Sequence, residues 1–229
     1  MNIQFFTSMN KNYYDRCGKF MIESFEKFYP EHSLNLYNED FKPINKVTLK
    51  DWNLGNDYNN FLKKWPAKSS VAKFSKKAFS VIHAMNFIEC DYLIWLDADT
   101  IIKNRFDKDL YKIILNKKIL STHLGVWHEY NNKDYYSCET GFFVLNKKHK
   151  DFYKFKNTYT TIYVDQDTDN LRRFYDGDVY GEVVNRLGPK YMLDLNPAPK
   201  KYKTPIKHSM LKDYIAHYKG KSTKNQTFS

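Results

Sequence analysis

Apolar and polar positions switch between two periods along this chain. Ile3 to Phe6 reads as a first strand ending at Thr7-Ser8. Cys17, Phe20, Met21, Phe25 and Phe28 then recur at helical spacing and stop at Tyr29-Pro30. Ser33 to Tyr37, with Leu34 and Leu36 alternating, predicts a second strand. A strand–helix–strand opening implies a parallel sheet with a right-handed crossover. Residues 40–68 are polar and aperiodic, with Pro43, Gly55 and Pro66, an irregular excursion long enough for a lid. Val71, Phe74, Ala78, Val81, Ile82, Met85 and Ile88 predict an amphipathic helix carrying Lys73, Lys76 and Lys77 near its start.

Further along, Leu93 to Leu96 is a fully apolar run, the signature of a strand buried on both faces. Ile119 to Thr122, Gly141 to Leu145 and Tyr191 to Leu193 read as later strands. Phe152 to Tyr159 reads as a helix, as does the stretch from Val179 through Leu187, closed by Gly188-Pro189. Neither a repeat nor a linker divides the chain. One α/β domain covering 1–229 is expected, with a polar basic tail from about residue 220.

The chemistry concentrates where the apolar run of residues 93–96 meets Asp97-Ala98-Asp99. Carboxylates cannot stay unpaired inside a sheet, so they mark the strand's exit. Ligands of open α/β sheets bind beyond the carboxyl ends of the strands. Two hard oxygen donors one residue apart suit a divalent cation and the phosphates it clamps.

Charge sharpens this picture. The formal net charge is +11, which implies an anionic partner such as a phosphate-rich ligand, a nucleic acid or an anionic surface, beside a solvated lysine-rich face. Only Arg16, Arg105, Arg172, Arg173 and Arg186 are arginines, a poor supply for bidentate base reading, so no nucleic-acid partner is expected. The three cysteines, Cys17, Cys90 and Cys138, fit neither a zinc motif nor a secreted disulfide framework. The first residues are too polar-flanked for a signal peptide and no segment has the apolar length of a membrane span. A cytoplasmic protein without a transmembrane segment is therefore expected.

Four features fall in order along the chain: Asp97-Ala98-Asp99; Cys138-Glu139-Thr140-Gly141-Phe142; Tyr175-Asp176-Gly177-Asp178; and His217-Tyr218-Lys219-Gly220-Lys221. In this they resemble the nucleotide-sugar-dependent glycosyltransferases of the GT-A fold, the family-eight enzymes in particular. The resemblance implies a Rossmann-like nucleotide-binding half with a central, mostly parallel sheet flanked by helices. It also implies transfer of a sugar from a nucleoside diphosphate sugar, UDP-linked as is commonest among such enzymes, to a glycan or other hydroxyl acceptor. By the same resemblance Asp97, Asp99 and His217 are ligands of Mn2+ or Mg2+. Lys221 follows the His-x-x-Gly element formed with Gly220 and meets the diphosphate, although the family's lysine usually falls where this chain has Thr223. Asp97, Thr7, Lys73 and Lys77 are placed toward the nucleotide, and Tyr13 or Tyr14 offers a ring to the base. Glu139 and Asp176 are the acceptor-side carboxylates, with His123, Trp127 and His128 as a sugar platform. Gly177 stands where the family carries Gln. Asp165-Gln166-Asp167 lacks a following helix pattern and reads as a loop.

Each residue also has a plainer reading. Asp176 and Asp178 suit helix N-caps, and Glu139 suits a strand-end ion pair. Asp97-x-Asp99 after an apolar strand also resembles the nucleophile motif of haloacid-dehalogenase-type phosphatases, which offers no role for His217. A basic, aromatic-rich chain could instead bind single-stranded nucleic acid without catalysis.

Overall fold

The computed structural model describes residues 1–38, 40–41, 43, 47–50, 55–65, 69–130 and 132–218. The expectations for Gly220, Lys221 and the tail lie outside them. In chain order the strands and α-helices are β1 (Ile3–Met9), α1 (Lys11–Tyr13), α2 (Lys19–Phe28), β2 (Leu34–Asn38), β3 (Thr48–Lys50), α3 (Gly55–Lys64), α4 (Ser70–Phe87), β4 (Tyr92–Leu96), β5 (Thr100–Ile102), α5 (Lys108–Ile114), β6 (Ser121–His123), β7 (Gly125–Tyr130), β8 (Lys133–Cys138), β9 (Phe142–Asn146), α6 (Phe152–Val164), α7 (Asp176–Leu187), β10 (Met192–Asp194) and β11 (Ile215–His217).

Seven strands form the central sheet in the order β10-β6-β9-β4-β1-β2-β3. Every neighbouring pair is parallel except those of β9, which runs antiparallel to both β4 and β6. Alternation along the strands divides the core. Phe6, Leu93 and Trp95 face α3, α4, α6 and α7, whereas Phe5, Tyr92, Ile94 and Leu96 face α2 and α5. Both faces of β4 are thus covered, which is why its five residues are all apolar and buried. Two small antiparallel ribbons sit outside the sheet, β7 with β8 and β5 with β11. Among the described residues no helix is long and apolar enough to cross a membrane.

Two expectations need correction, and two elements were not foreseen. The excursion at 40–68 is not wholly irregular. It supplies β3 at the sheet edge, and α3 buries Tyr58 and Phe61 in the core. The sparse apolar residues of α3 are spaced to cover one face, so its polar composition hid a packed helix. The first strand runs on through Thr7 and Ser8 to Met9, since β-branched and small polar side chains fit a pleated interior. The β7–β8 hairpin, whose reversal includes Asn132 at a positive φ of 58°, and the short helix α5 had no clear apolar period.

His123 lies inside β6 with 1% of its surface exposed, so it is no sugar platform. Its Nε2 is 2.9 Å from the Tyr136 hydroxyl, which donates to Asp194 at 3.0 Å. Burial outweighs the pull of Asp194 and depresses the His123 pKa from 6.5 to about 4. The folded state therefore keeps this imidazole neutral in a pH range where the unfolded chain protonates it. Its contribution is complete above the unfolded value and is lost as pH falls from there toward the folded one. Stability measured by urea denaturation should drop by about 2 kcal/mol from this group between about pH 7 and about pH 5. A His123→Gln variant should show a correspondingly shallower slope.

Candidate metal centre and ligand cleft

The end of β4 delivers Asp97 and Asp99 to the rim of the sheet. The Asp97 amide donates to the Gly141 carbonyl (3.0 Å) and the Thr100 amide to the Asp97 carbonyl (3.0 Å), closing the turn into β5. The β11 strand pairs with β5 so that His217 sits opposite Thr100, and the Tyr218 amide donates to the Asp99 carbonyl (3.0 Å). His217 Nε2 lies 2.9 Å from Asp99 Oδ1 and 3.8 Å from Asp97 Oδ2. One ligand atom from each of Asp97, Asp99 and His217 lies within 4.8 Å of the others.

A second set of contacts fixes Asp97 from behind. Its Oδ1 accepts from Lys77 Nζ (2.7 Å) and from the Trp95 indole N–H (2.7 Å), which leaves Oδ2 toward His217. Lys77 also donates to the Thr140 carbonyl (2.6 Å) and pairs with Asp176 Oδ2 (3.0 Å). Asp176 accepts from the Thr140 hydroxyl as well (2.6 Å). Asp176 is the first residue of α7 but does not cap it, and nor does Asp178. The N-cap is Tyr175, without a side-chain bond, and Asp178 is buried against Arg172 and Arg173.

These groups hold each other's charge. Burial alone would favour a neutral Lys77, but Asp97 and Asp176 outweigh it and raise its pKa. Burial presses upward on Asp176 too, yet Lys77 and the Thr140 hydroxyl leave it lowered. Asp97 is raised, by burial first and then by Asp99 and Asp176, against the pull of Lys77 and His217. Burial disfavours an imidazolium at His217, but its bonds to Asp99 and Glu139 push it up to about 10. Asp97, Asp99, Glu139 and Asp176 thus gather around Lys77 and a protonated His217. Two carboxylates and an imidazole of this disposition fit a divalent cation that accepts mixed oxygen and nitrogen donors, as manganese does.

A cleft of about 440 Å³ opens beside this centre, lined among others by Ser8, Asn10, Tyr13, Lys73, Phe74 and Lys76. Lys73, Lys76 and Lys77 all line it. Tyr13 lines it, whereas Tyr14 is buried against Phe41. Thr7 does not line it. The longer first strand places Thr7 wholly inside the sheet, and Ser8 through Asn10 take the rim. A second cavity of about 200 Å³ lies across Glu139, Thr140 and Asp176, with His128, Arg173 and Lys203 in its wall. Of the expected sugar platform His128 lines this second cavity, whereas Trp127 packs on Tyr136. Gly177 has no room for any side chain, because a Cβ there would run into the Cys138 carbonyl. The Asp165–Asp167 stretch is a loop after α6, with Asp167 paired to Arg186. The indole of Trp95, the carbonyl of Thr140 and Asn10 escaped notice in the sequence, because strand interiors and backbone groups leave no motif.

No protein-family model matches the sequence, and no curated protein does. Solved structures do resemble it. The galactosyltransferase LgtC in complex with donor and acceptor sugar analogues superposes with a TM-score of 0.57 at 12% identity, over 96% of this chain and 88% of LgtC. An active-site mutant of LgtC gives 0.59 at 13%, over 95% and 88%. Mouse xyloside xylosyltransferase 1 in its apo form gives 0.55 at 13%, over 86% of each chain. The chain has the GT-A glycosyltransferase fold.

Replacing Lys77 by Met should leave two acidic side chains without their common partner. We expect a loss of about 3 kcal/mol in urea unfolding, at the lower edge for broken buried pairs because Asp97 keeps some solvent. A Lys77→Met/Asp176→Asn double variant should recover part of that loss, since one orphaned charge is removed.

Proposed function

We propose that the protein is a metal-dependent glycosyltransferase that moves a sugar from a nucleoside diphosphate sugar, UDP-linked, to a glycan or another hydroxyl acceptor. The observation that carries this reading is the convergence of Asp97, Asp99 and His217 within 4.8 Å on the edge of a lysine-rimmed cleft. Breaking the bond between sugar and diphosphate develops negative charge on the departing phosphates. A divalent cation on these three residues, Mn2+ or Mg2+, would supply Lewis-acid stabilisation of that charge.

The remaining roles follow from position. Lys73 and Lys76 bring further positive charge to the diphosphate. Tyr13 offers a ring for the base, and Asn10 a polar group beside it. Lys221 and Gly220, outside the described residues, are assigned to the diphosphate on the sequence resemblance alone. Lys77 holds Asp97 in orientation through Oδ1. Asp176 and Glu139 stand between the cleft and the second cavity, where an acceptor hydroxyl would arrive. Asp176, tied to Lys77 and Thr140, suits a fixed negative wall beneath the sugar more than a proton carrier. The phosphatase alternative gains no comparable support, since it offers no role for His217, which stands 2.9 Å from Asp99 Oδ1. A cytoplasmic setting fits three buried cysteines not joined by disulfides.

The test is a thermal-shift screen of nucleoside diphosphates and nucleotide sugars with and without manganese. A ligand at a hundredfold its Kd adds about 2.7 kcal/mol to the native state. We expect UDP compounds to raise the melting temperature, and manganese to enlarge the rise. Asp99→Asn should erase the manganese-dependent part and sugar transfer while shifting the unliganded melting temperature little. Wild-type transfer by Asp99→Asn with manganese present would sink the proposal.

A further inference from the structure

We propose that Glu139 is a positioning residue, which sets the tautomer and ring orientation of His217 so that Nε2 is the atom offered to the cation; this rests on the reading of Asp97, Asp99 and His217 as cation ligands. Glu139 is 6% exposed, and its backbone is pinned by the amide bond to the Leu124 carbonyl (2.7 Å). Its Oε1 lies 3.2 Å from His217 Nδ1 and accepts from the Gly141 amide (3.1 Å). An ionised carboxylate can only accept, so Nδ1 must carry a proton. Nε2, turned toward Asp97 Oδ2 and Asp99 Oδ1, carries the other proton, and a cation seated between those carboxylates would replace it; with Nδ1–H kept by Glu139, the lone pair so freed is on Nε2.

Gly141 completes the clamp. A Cβ at that position would lie 2.5 Å from His217 Nδ1 and 2.6 Å from its Cε1, so the imidazole rests directly against backbone. The ring is held by Gly141 on one side, by Glu139 at Nδ1 and by the β11 pairing to β5 through its own backbone. The opposite tautomer would leave Nδ1 without a hydrogen for Glu139 and put N–H where a ligand lone pair is needed. Carboxylates in this position behind a ligating histidine also strengthen its donor nitrogen. A carboxylate with this commitment is poorly disposed to take a proton from an acceptor.

The experiment is calorimetric titration of Mn2+ into the full chain and three variants, with sugar transfer measured at saturating manganese. Glu139→Gln keeps an acceptor oxygen and should bind Mn2+ within a few-fold of wild type, with any loss of turnover no greater than its loss of affinity. Glu139→Ala should bind 10- to 100-fold more weakly, the usual cost of losing such a partner (about 10–100-fold). Should Glu139→Ala fail to fold, Glu139→Asp, one methylene too short to reach Nδ1, is expected to weaken binding in the same direction. Asp99→Asn is the control and should lose most of the affinity. If Asp99→Asn weakens binding while Glu139→Ala binds like wild type, the positioning role is overturned. If Glu139→Gln binds normally but does not turn over, Glu139 is the acceptor base and the proposal is likewise overturned. If Asp99→Asn too binds like wild type, the cation reading beneath it fails instead.

Discussion

The ammonium group of Lys77 is the point on which the site depends. Its side chain is 12% exposed and sits between Asp97, Asp176 and the carbonyl of Thr140. A charge so far from water survives only because two carboxylates stand within about 3 Å of it. At an effective dielectric near 20 each such neighbour contributes about 5 kcal/mol of attraction, enough to offset a desolvation cost of several kcal/mol. The three partners arrive on different elements: Lys77 from α4, Asp97 from the end of β4 and Asp176 from the first turn of α7. One side chain therefore joins the end of β4 to the start of α7 across the cleft. It also decides which oxygen of Asp97 is spent internally and which is left facing His217.

The departures from the family pattern are local and have local causes. Gly177 stands where the resembled enzymes carry an amide side chain, and the backbone of Cys138 approaches too closely for that amide to return. On the same wall Thr140 and Asp176 are joined by a hydrogen bond. Glu139, an acidic residue in the turn before β9, lines the second cavity and also lies under the imidazole, 3.2 Å from His217 Nδ1.

Much of the scaffold could be read from the sequence because β4 and α4 are strongly periodic and their contents physically unambiguous. An apolar run that breaks into two carboxylates has few other homes than a strand end. His217 was reached through its spacing to Gly220, yet the strand that brings it to Asp99 is only Ile215-Ala216-His217, too short for any period to register. Lys77 was visible as one of three lysines on a helix, but nothing in the order of residues distinguishes it from Lys73 or Lys76. The distinction is made by Asp176, which lies 99 positions further on and meets it only in the folded chain. Thr7 misled because a hydroxyl at an apparent strand end looks available, and two further residues of pairing with β2 bury it.

The ribbon of β5 and β11 has a consequence for how the protein behaves as a machine. Each strand is three residues long, and the ribbon stands apart from the main sheet, so its own ladder is a weak tether. Ile206, Leu211 and Ile215 hold it down by packing into the core beneath. Through it, two side chains 118 positions apart in the chain, Asp99 and His217, are brought within reach of one another. A metal seated there would act as a rivet through a hinge leaf. Occupancy of the centre and docking of this late segment would rise and fall together, so that a molecule with the leaf ajar would keep its aspartates but grip the ion with one donor fewer.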